Sequence, residues 1–468
     1  MSQYDLVVIG SGPGGYVAAI HAAQGGLKTA IVEKESTERL GGTCLLRGCI
    51  PTKAMLNTAD LIEKMNHAAD FGIAVKDAKI DMDMMHAYKD KVVQKNAGGV
   101  KYLMKKNKVD VHLGHGRIDG RGKVSVTDKD GKKTVLNTKN VILATGSACR
   151  DMPFAPVDHE RILNSDDILQ LPDIPKHLVV LGAGAVGSEF ASVFLRYGSK
   201  VTLIELQDRV LPIEDEEVSA EVAKSFKKQG MTVLTSTKMT ELKRVKDTVK
   251  LKVEGADGKK EELEASHVLV AIGRKSVLED VGLNKTKIKL DDRGFVPVND
   301  FMQTTEDWVY AIGDLLNTPW LAHVASKEGI HAVDHILGRN PRPINYGLVP
   351  NCTYCTPEVA SVGLTEKAAK EKGYDVATGV FPFSAIGKAA ILGATDGFVK
   401  IVSEKKYDQV LGLHIVGPKA TELITEGTVA MQLESTLDEL IATIHPHPTL
   451  AEAVGEAAHA ATGHPLHI

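Results

Sequence analysis

The sequence predicts an α/β protein with two Rossmann-like dinucleotide-binding domains and a C-terminal α+β domain. Three observations carry that prediction. A strand, glycine turn, helix, strand pattern occurs twice. The chain is long enough for several domains. Its character changes after residue 345. At 468 residues, and roughly 100–200 residues per domain, three or four domains are expected. Hydrophobic residues at 43% and charged residues at 25% are globular proportions, so global disorder is excluded. The 56 basic against 60 acidic residues lack the basic excess of a nucleic-acid binder, and no such partner is expected. No apolar run reaches the ~18–20 residues of a membrane span. The opening MSQYDLVVIG has no basic leader. We therefore expect no membrane partner and a cytoplasmic location.

In the first repeat Leu6-Val7-Val8-Ile9 reads as a strand, Gly10-Ser11-Gly12-Pro13-Gly14-Gly15 as the turn and Tyr16 to Ala23 as a helix stopped by Gly25-Gly26. Thr29 to Val32 is the next strand, ending at Glu33. The second repeat has Leu178 to Leu181, then Gly182-Ala183-Gly184-Ala185-Val186-Gly187, then a helix from Ser188 to Tyr197. Val201 to Ile204 closes it, ending at Glu205. The same spacing separates Gly10 from Glu33 and Gly182 from Glu205. Leu171-Pro172-Asp173-Ile174-Pro175 between the repeats reads as a linker. Residues 51–107 read as largely helical, and 108–146 as short strands. Beyond 345, strands at 352–363, 377–383 and 397–416 precede helices at 418–434 and 449–461.

Each glycine turn has the context in which such a fingerprint binds a dinucleotide. Glycines let the backbone approach a pyrophosphate, and the helix N-terminus offers unpaired N–H groups and partial positive charge. Glu33 and Glu205 then accept from a ribose 2′-hydroxyl, and a 2′-phosphate is repelled at Glu205. The candidate contacts are Gly10, Gly12, Gly14, Gly15, Glu33 and Lys34 at the first turn, and Gly182, Gly184, Val186, Gly187 and Glu205 at the second. Two sites in one chain imply two dinucleotides, a flavin passing electrons to a nicotinamide.

Five cysteines are too few for a disulfide scaffold of this length. Cys44 and Cys49 lie in Gly42-Thr43-Cys44-Leu45-Leu46-Arg47-Gly48-Cys49-Ile50-Pro51-Thr52-Lys53. In a regular helix their Cα atoms would stand about 8.6 Å apart, beyond the ~7 Å reach of a disulfide. Closing the pair needs a distorted backbone, for which Gly48 and Pro51 are suited. Alone, the two fit either a redox pair or two buried thiols. Cys352-Thr353-Tyr354-Cys355 has no further ligand pair nearby, so packing is expected there and no metal site. In His445-Pro446-His447-Pro448-Thr449-Leu450-Ala451-Glu452, the Thr449-x-x-Glu452 spacing is also a capping box for the last helix.

GGTCLLRGCIPTKAM resembles the redox segment of the pyridine nucleotide–disulfide oxidoreductases, and the likeness runs from residue 4 to about 460. GSGPGGYVAAIHAAQGG resembles the branch that oxidises dihydrolipoyl groups with NAD+. Leu46-Arg47 departs from the Asn-Val often seen there. The resemblance implies FAD on the first turn and NAD on the second. It implies an FAD-binding part over 1–147, an NAD-binding domain over 148–275, a central domain over 276–345 and a dimerisation domain over 346–468. It makes Cys44–Cys49 a redox-active disulfide and Gly42 and Thr43 flavin neighbours. It makes Lys53 a flavin-side residue paired with Glu189 near the nicotinamide. His447 becomes the acid–base histidine, oriented by Glu452 and reaching the disulfide of a second subunit. Gly116, Thr145-Gly146, Asp314, Ala322 and His323 are implied as further FAD contacts, and Gly273 as an NAD contact. A homodimer follows, serving the lipoyl domains and acyltransferase core of a 2-oxo acid dehydrogenase or glycine cleavage complex. Two alternatives are a relative reducing another small disulfide with NAD(P)H, and a non-catalytic flavin-binding redox sensor or docking subunit.

Overall fold

The computed structural model describes residues 3–34, 39–152 and 156–468. The chain divides into two compact units. The first comprises Met1–Ala54, Asp83–Arg150 and Gly273–Tyr346, and the second Met55–Met82, Asp151–Ile272 and Gly347–Ile468.

The first unit is built on Gln3–Ile9, which pairs in parallel with Thr29–Glu33 on one side and Lys133–Leu143 on the other. Asp110–Leu113 extends the parallel sheet at one edge, and Val309–Ala311 pairs with the end of Lys133–Leu143. Leu6, Val7, Val8, Ala30, Ile31 and Val141 to Leu143 are buried. That continuous apolar character is what a parallel strand covered on both faces requires. The start of Lys133–Leu143 instead pairs antiparallel with Lys123–Thr127, which pairs with His115–Ile118. The helix Pro13–Gln24 lies along Ala322–Ile336. A Cβ on Gly329 would stand 2.7 Å from Gly14 O, so glycine is what lets these two helices approach. His21 Nε2 meets Asp334 Oδ1 at 2.8 Å across the pair.

The second unit holds a five-stranded parallel sheet among the described residues. Its order is Thr232–Leu234, Lys200–Ile204, His177–Leu181, His267–Val270, Ile162–Leu163. A three-stranded antiparallel sheet, Thr237–Val245, Thr248–Gly255 and Lys260–Ala265, contributes Val249, Leu251 and Val253 to the same core. The C-terminal part is a five-stranded antiparallel sheet: Asn351–Thr353, Glu358–Gly363, Val410–Gly417, Phe398–Glu404, Val376–Pro382. Ala420–Gln432 and Glu452–Ala461 pack against it. The fit of the last helix is close, since a Cβ on Gly379 would meet Ala457 O at 2.1 Å.

Residues 171–175, between the two repeats, run without helix or strand from Ser165–Ile168 to His177–Leu181 and lie within the second unit. Two of the five passages between units fall after Arg150 and before Gly273, where Ser147–Cys149 and Arg274–Ser276 pair antiparallel and hold those two chain passages side by side.

Candidate active site

Both glycine turns sit where a strand end meets a helix start. In the first, Gly10 has φ +108°, and a Cβ there would stand 2.2 Å from Ala144 O. In the second, Gly182 has φ +98° with Ala271 O at 2.6 Å. Gly15 and Gly187 let the helix close on the strand, for their Cβ atoms would meet Gly10 O at 2.0 Å and Gly182 O at 1.8 Å. Gly12 and Gly184 differ: a Cβ on either meets nothing within 4 Å. Their backbones are extended, with φ −61° and −71°. Neither fold nor strain calls for glycine at these two positions. A ligand approaching the backbone there does, so the residues fit a dinucleotide at each turn.

The acids at the strand ends are buried, and each holds its own turn. Glu33 Oε2 accepts from Ser11 N at 3.0 Å and Ser11 Oγ at 2.5 Å. Glu205 Oε2 accepts from Ala183 N at 2.7 Å, and its Oε1 from Gln207 N at 2.8 Å. A carboxylate has about four acceptor positions, so Glu205 keeps capacity for a ribose hydroxyl. Lys34 and Val186 are exposed.

This contrast between glycines sets up a paired expectation. Gly15→Ala prevents the first turn from closing, and gel-filtered protein loses its flavin absorbance. Gly12→Ala leaves the thermal midpoint of the flavin-free protein unchanged, yet weakens FAD binding on the order of tenfold or more, as a methyl in a pyrophosphate's approach should. Equal flavin affinity in Gly12→Ala and wild type contradicts the reading of that space.

The cysteine pair hangs on the first turn. Gly41 N donates to Ser11 O at 3.1 Å, and a Cβ on Gly42 would stand 2.6 Å from Gly12 Cα. The helix Gly42–Arg47 carries Cys44, and Cys49 opens the helix Cys49–Asn66. Gly48, at φ −143° and ψ −113°, breaks the path between them. Cys44 and Cys49 form a disulfide with Cα atoms 4.7 Å apart. The distortion that the spacing demands is concentrated at Gly48, while Pro51 sits in the first turn of the following helix, where its missing N–H costs nothing. A thiolate at Cys49 is stabilised by that helix N-terminus. Thr43 and Lys53 are half-buried on these helices. Lys53 belongs to the first unit. Glu189 belongs to the second, is buried, and accepts from Tyr354 N at 3.0 Å.

Asp314, in the Gly313–Leu315 turn, is held from two sides. Asp314 Oδ2 accepts from Ser147 Oγ at 2.5 Å, and Ser276 Oγ donates to Asp314 O at 2.5 Å. Arg274 Nε donates to Ser147 Oγ at 2.7 Å. Burial pushes the Asp314 carboxyl up, opposed by the Ser147 hydrogen bond and the Arg274 charge. Thr145 Oγ1 donates to Val277 O at 2.5 Å, and Gly146 follows it. Ala322 and His323 open Ala322–Ile336. Gly116 is buried in His115–Ile118, where a Cβ would meet Val32 Cγ1 at 2.9 Å. Gly273 is exposed. Sequence reasoning missed Glu328, which is fully buried. It accepts from Gly313 N at 2.6 Å, Thr318 Oγ1 at 2.8 Å and Tyr346 Oη at 2.9 Å. Its partners are backbone or lie elsewhere in the chain, so no motif marked it.

His447 and Glu452 meet in the second unit. His447 Nδ1 lies 2.8 Å from Glu452 Oε1, and the imidazole is 79% exposed. Glu452 Oε2 accepts from Thr449 N at 2.8 Å. Against the cost of burying its charge, these hydrogen bonds hold the Glu452 carboxyl below the usual range. The capping box expected here is only half formed. The Thr449 hydroxyl donates to Pro446 O at 2.7 Å instead of accepting from a helix N–H, because Ala451 takes the N-cap position. His445 Nε2 is 2.7 Å from Glu426 Oε1, and its ring lies over Gly455, where a Cβ would stand 3.0 Å from His445 Nδ1. His445 thus anchors the loop that carries His447.

Cys355 is fully buried, donates to Pro357 O at 3.1 Å, and has its thiol pushed up by burial. Cys149 and Cys352 are outside any disulfide. Among the described residues no three His, Cys, Asp or Glu side chains are placed to share a metal ion. Among them, too, no helix is long and apolar enough to cross a membrane.

Comparison with known proteins agrees with this geometry. The dihydrolipoyl dehydrogenase of Bacillus subtilis is 45% identical over 476 residues, covering 100% of this chain and 99% of that protein. That of Zymomonas mobilis is also 45% identical, covering 99% of each. Among solved structures, LpdA from Mycobacterium tuberculosis superposes with a TM-score of 0.90 at 28% identity, covering 98% of this chain and 99% of that one. Residues 349–458 match the dimerisation domain of the pyridine nucleotide-disulphide oxidoreductases. Residues 4–329 match that family's dinucleotide-binding region, and the chain belongs to the pyridine nucleotide-disulphide oxidoreductase family.

Proposed function

We propose that this chain oxidises dihydrolipoyl groups to the lipoyl disulfide and reduces NAD+ to NADH, using FAD on the first glycine turn. The observation that carries the reading is the Cys44–Cys49 disulfide, tied to that turn through Gly41 and Gly42. A substrate thiolate attacks Cys44 Sγ. The Cys44–Cys49 bond breaks, Cys49 leaves as a thiolate, and the substrate is held on Cys44 as a mixed disulfide. His447 of the partner subunit removes the proton of the second substrate thiol. That sulfur then attacks the first, releasing lipoyl disulfide and the Cys44 thiolate, which takes the proton from the imidazolium. Glu452 fixes the imidazole through Nδ1 and stabilises its charged form. When bound, a flavin supplies a two-electron link between the reduced cysteine pair and the nicotinamide. Because reducing equivalents rest on the protein, lipoamide leaves before NAD+ reacts, and ping-pong kinetics follow.

On this reading Gly12, Gly14, Glu33, Thr145-Gly146, Asp314 and His323 hold FAD, and Gly184, Val186, Glu205 and Gly273 hold NAD. Lys53 is the flavin-side residue on this reading, and Glu189 the acid near the nicotinamide. The dimerisation domain supports a dimer, and on this reading the enzyme is cytoplasmic and works on lipoyl domains of a 2-oxo acid dehydrogenase complex. Glu205 favours NAD+ over NADP+ by repelling a 2′-phosphate. The first arginine beyond it, Arg209, is occupied by both Asp208 oxygens at 2.9 Å and by Glu216. The experiment compares initial rates of dihydrolipoamide oxidation with NAD+ and NADP+, and of glutathione disulfide reduction with NADPH. NAD+ should lead NADP+ by about a hundredfold in kcat/KM, with no glutathione disulfide turnover. Preferred NADPH and glutathione disulfide would favour the reductase alternative, and no turnover at all the binding role.

A further inference from the structure

The two glycine turns share more than their glycines. In the first, Ser11 gives its N–H to Glu33 and receives the N–H of Gly41 on its carbonyl at 3.1 Å. In the second, Ala183 gives its N–H to Glu205 and receives that of Leu211 at 2.8 Å. Each turn is therefore closed on one side by the acid at the strand end. On the other it is closed by the segment following that acid. The first segment leads into the disulfide helix. The second leads to Asp215, which caps the helix Glu216–Lys228 by accepting from Glu217 N at 3.1 Å.

That second segment needs holding. Leu211 is a non-glycine residue at φ +46°, a left-handed conformation in which its Cβ crowds the backbone. Its carbonyl takes Glu214 N at 2.9 Å and Ser219 Oγ at 3.2 Å. Gln207, in the same segment, orients Glu205 Oε1. At its far end Asp215 Oδ1 accepts from Lys400 Nζ at 3.0 Å, and Asp215 Oδ2 from Glu366 N at 3.2 Å. Glu214 Oε1 accepts from Asn351 Nδ2 at 2.5 Å.

Lys400 is the unexpected member. It stands in Phe398–Glu404 between buried Val399 and Ile401, with its own side chain 2% exposed. Its ammonium also meets Glu366 Oε2 at 2.8 Å and Glu217 Oε2 at 3.3 Å. By strand register Asn351, Ser361, His414 and Lys400 stand opposite one another in a row, and so share one face of the sheet. A buried ion pair is weak support for stability, since apolar side chains of similar volume often do as well or better. What a paired lysine adds at this place is a defined position for Asp215.

We propose that Lys400 is a positioning residue for the second dinucleotide site. By gripping Asp215 it holds residues 206–214 so that Leu211 closes the Ala183 carbonyl and Glu205 faces the ribose. This rests on the reading of that turn as the NAD site.

The test uses the FAD-loaded enzyme, reduced beforehand with dithionite so that NADH binds without reacting and is titrated by fluorescence, together with steady-state kinetics. In Lys400→Met the NADH Kd and the KM for NAD+ rise about tenfold, while kcat and the KM for dihydrolipoamide stay within about twofold, the pattern of lost uniform binding. Asp215→Asn retains a good helix cap and loses the charge. It should show the same split, and it carries the test if Lys400→Met does not fold. A lowered thermal midpoint with unchanged NADH Kd in the folded variants overturns the proposal and leaves Lys400 a structural joint. A wild-type enzyme that binds neither NADH nor NAD+ overturns the site reading itself.

Discussion

Cys44→Ser abolishes oxidation of dihydrolipoamide, with a loss on the order of 10⁴-fold or more, as removal of a nucleophile does. The protein should nevertheless purify with its flavin. The contacts that seat this segment on the first turn come from Gly41 and Gly42, not from the cysteine. The disulfide closes a loop of only a few residues, so by chain entropy its loss costs about 2 kcal/mol. Helix Gly42–Arg47 accepts serine readily at that position. The flavin absorbance of the gel-filtered variant, read beside its dihydrolipoamide:NAD+ activity, separates the two effects. Turnover within tenfold of wild type would remove Cys44 from the mechanism.

His447→Gln is the second large effect, with an expected loss of about 10²–10⁴-fold in kcat/KM for dihydrolipoamide. The side chain is 79% exposed in the chain, so folding is spared. Glu452→Gln is the more telling partner. Its remaining carbonyl oxygen can still accept from Thr449 N, which turns the amide N–H₂ toward His447 Nδ1. That nitrogen must then accept, the proton moves to Nε2, and the base is lost without loss of the ring. A fall of about 10²-fold or more, with unchanged thermal midpoint, is expected by analogy with other histidine–carboxylate pairs. Full activity in Glu452→Gln would show that Nδ1 orientation does not matter.

Both glycine turns are legible in the sequence because their signals are local: an apolar strand, fixed glycine spacing and an acid at the next strand end. The His447–Glu452 pair is legible for the same reason. The cysteine pair is legible as a motif, and its bond through the family resemblance; helical spacing alone forbids closure, and the break at Gly48 permits it. The acids legible as ribose acceptors have a second task that the sequence does not mark: their hydrogen bonds to Ser11 and Ala183 hold the turns themselves. The antiparallel sheet of residues 237–265 went unread, although Val249, Leu251 and Val253 alternate with Lys250 and Lys252. The short helices Glu366–Glu371, Gly387–Leu392 and Leu437–Ala442 were also unread, being too short to show a period. Buried charges were the hardest. Lys400 and Asp215 stand 185 positions apart, and each by itself resembles a surface residue.

In this mechanism electrons enter through the Cys44–Cys49 disulfide. The most direct measurement adds one equivalent of dihydrolipoamide to the flavin-loaded enzyme without oxygen, alkylates at once, and maps the labels by mass spectrometry. Two new labels on Cys44 and Cys49, absent when NAD+ is added before the alkylating agent, are the predicted result. An intact Cys44–Cys49 bond in an enzyme that still forms NADH would contradict the account.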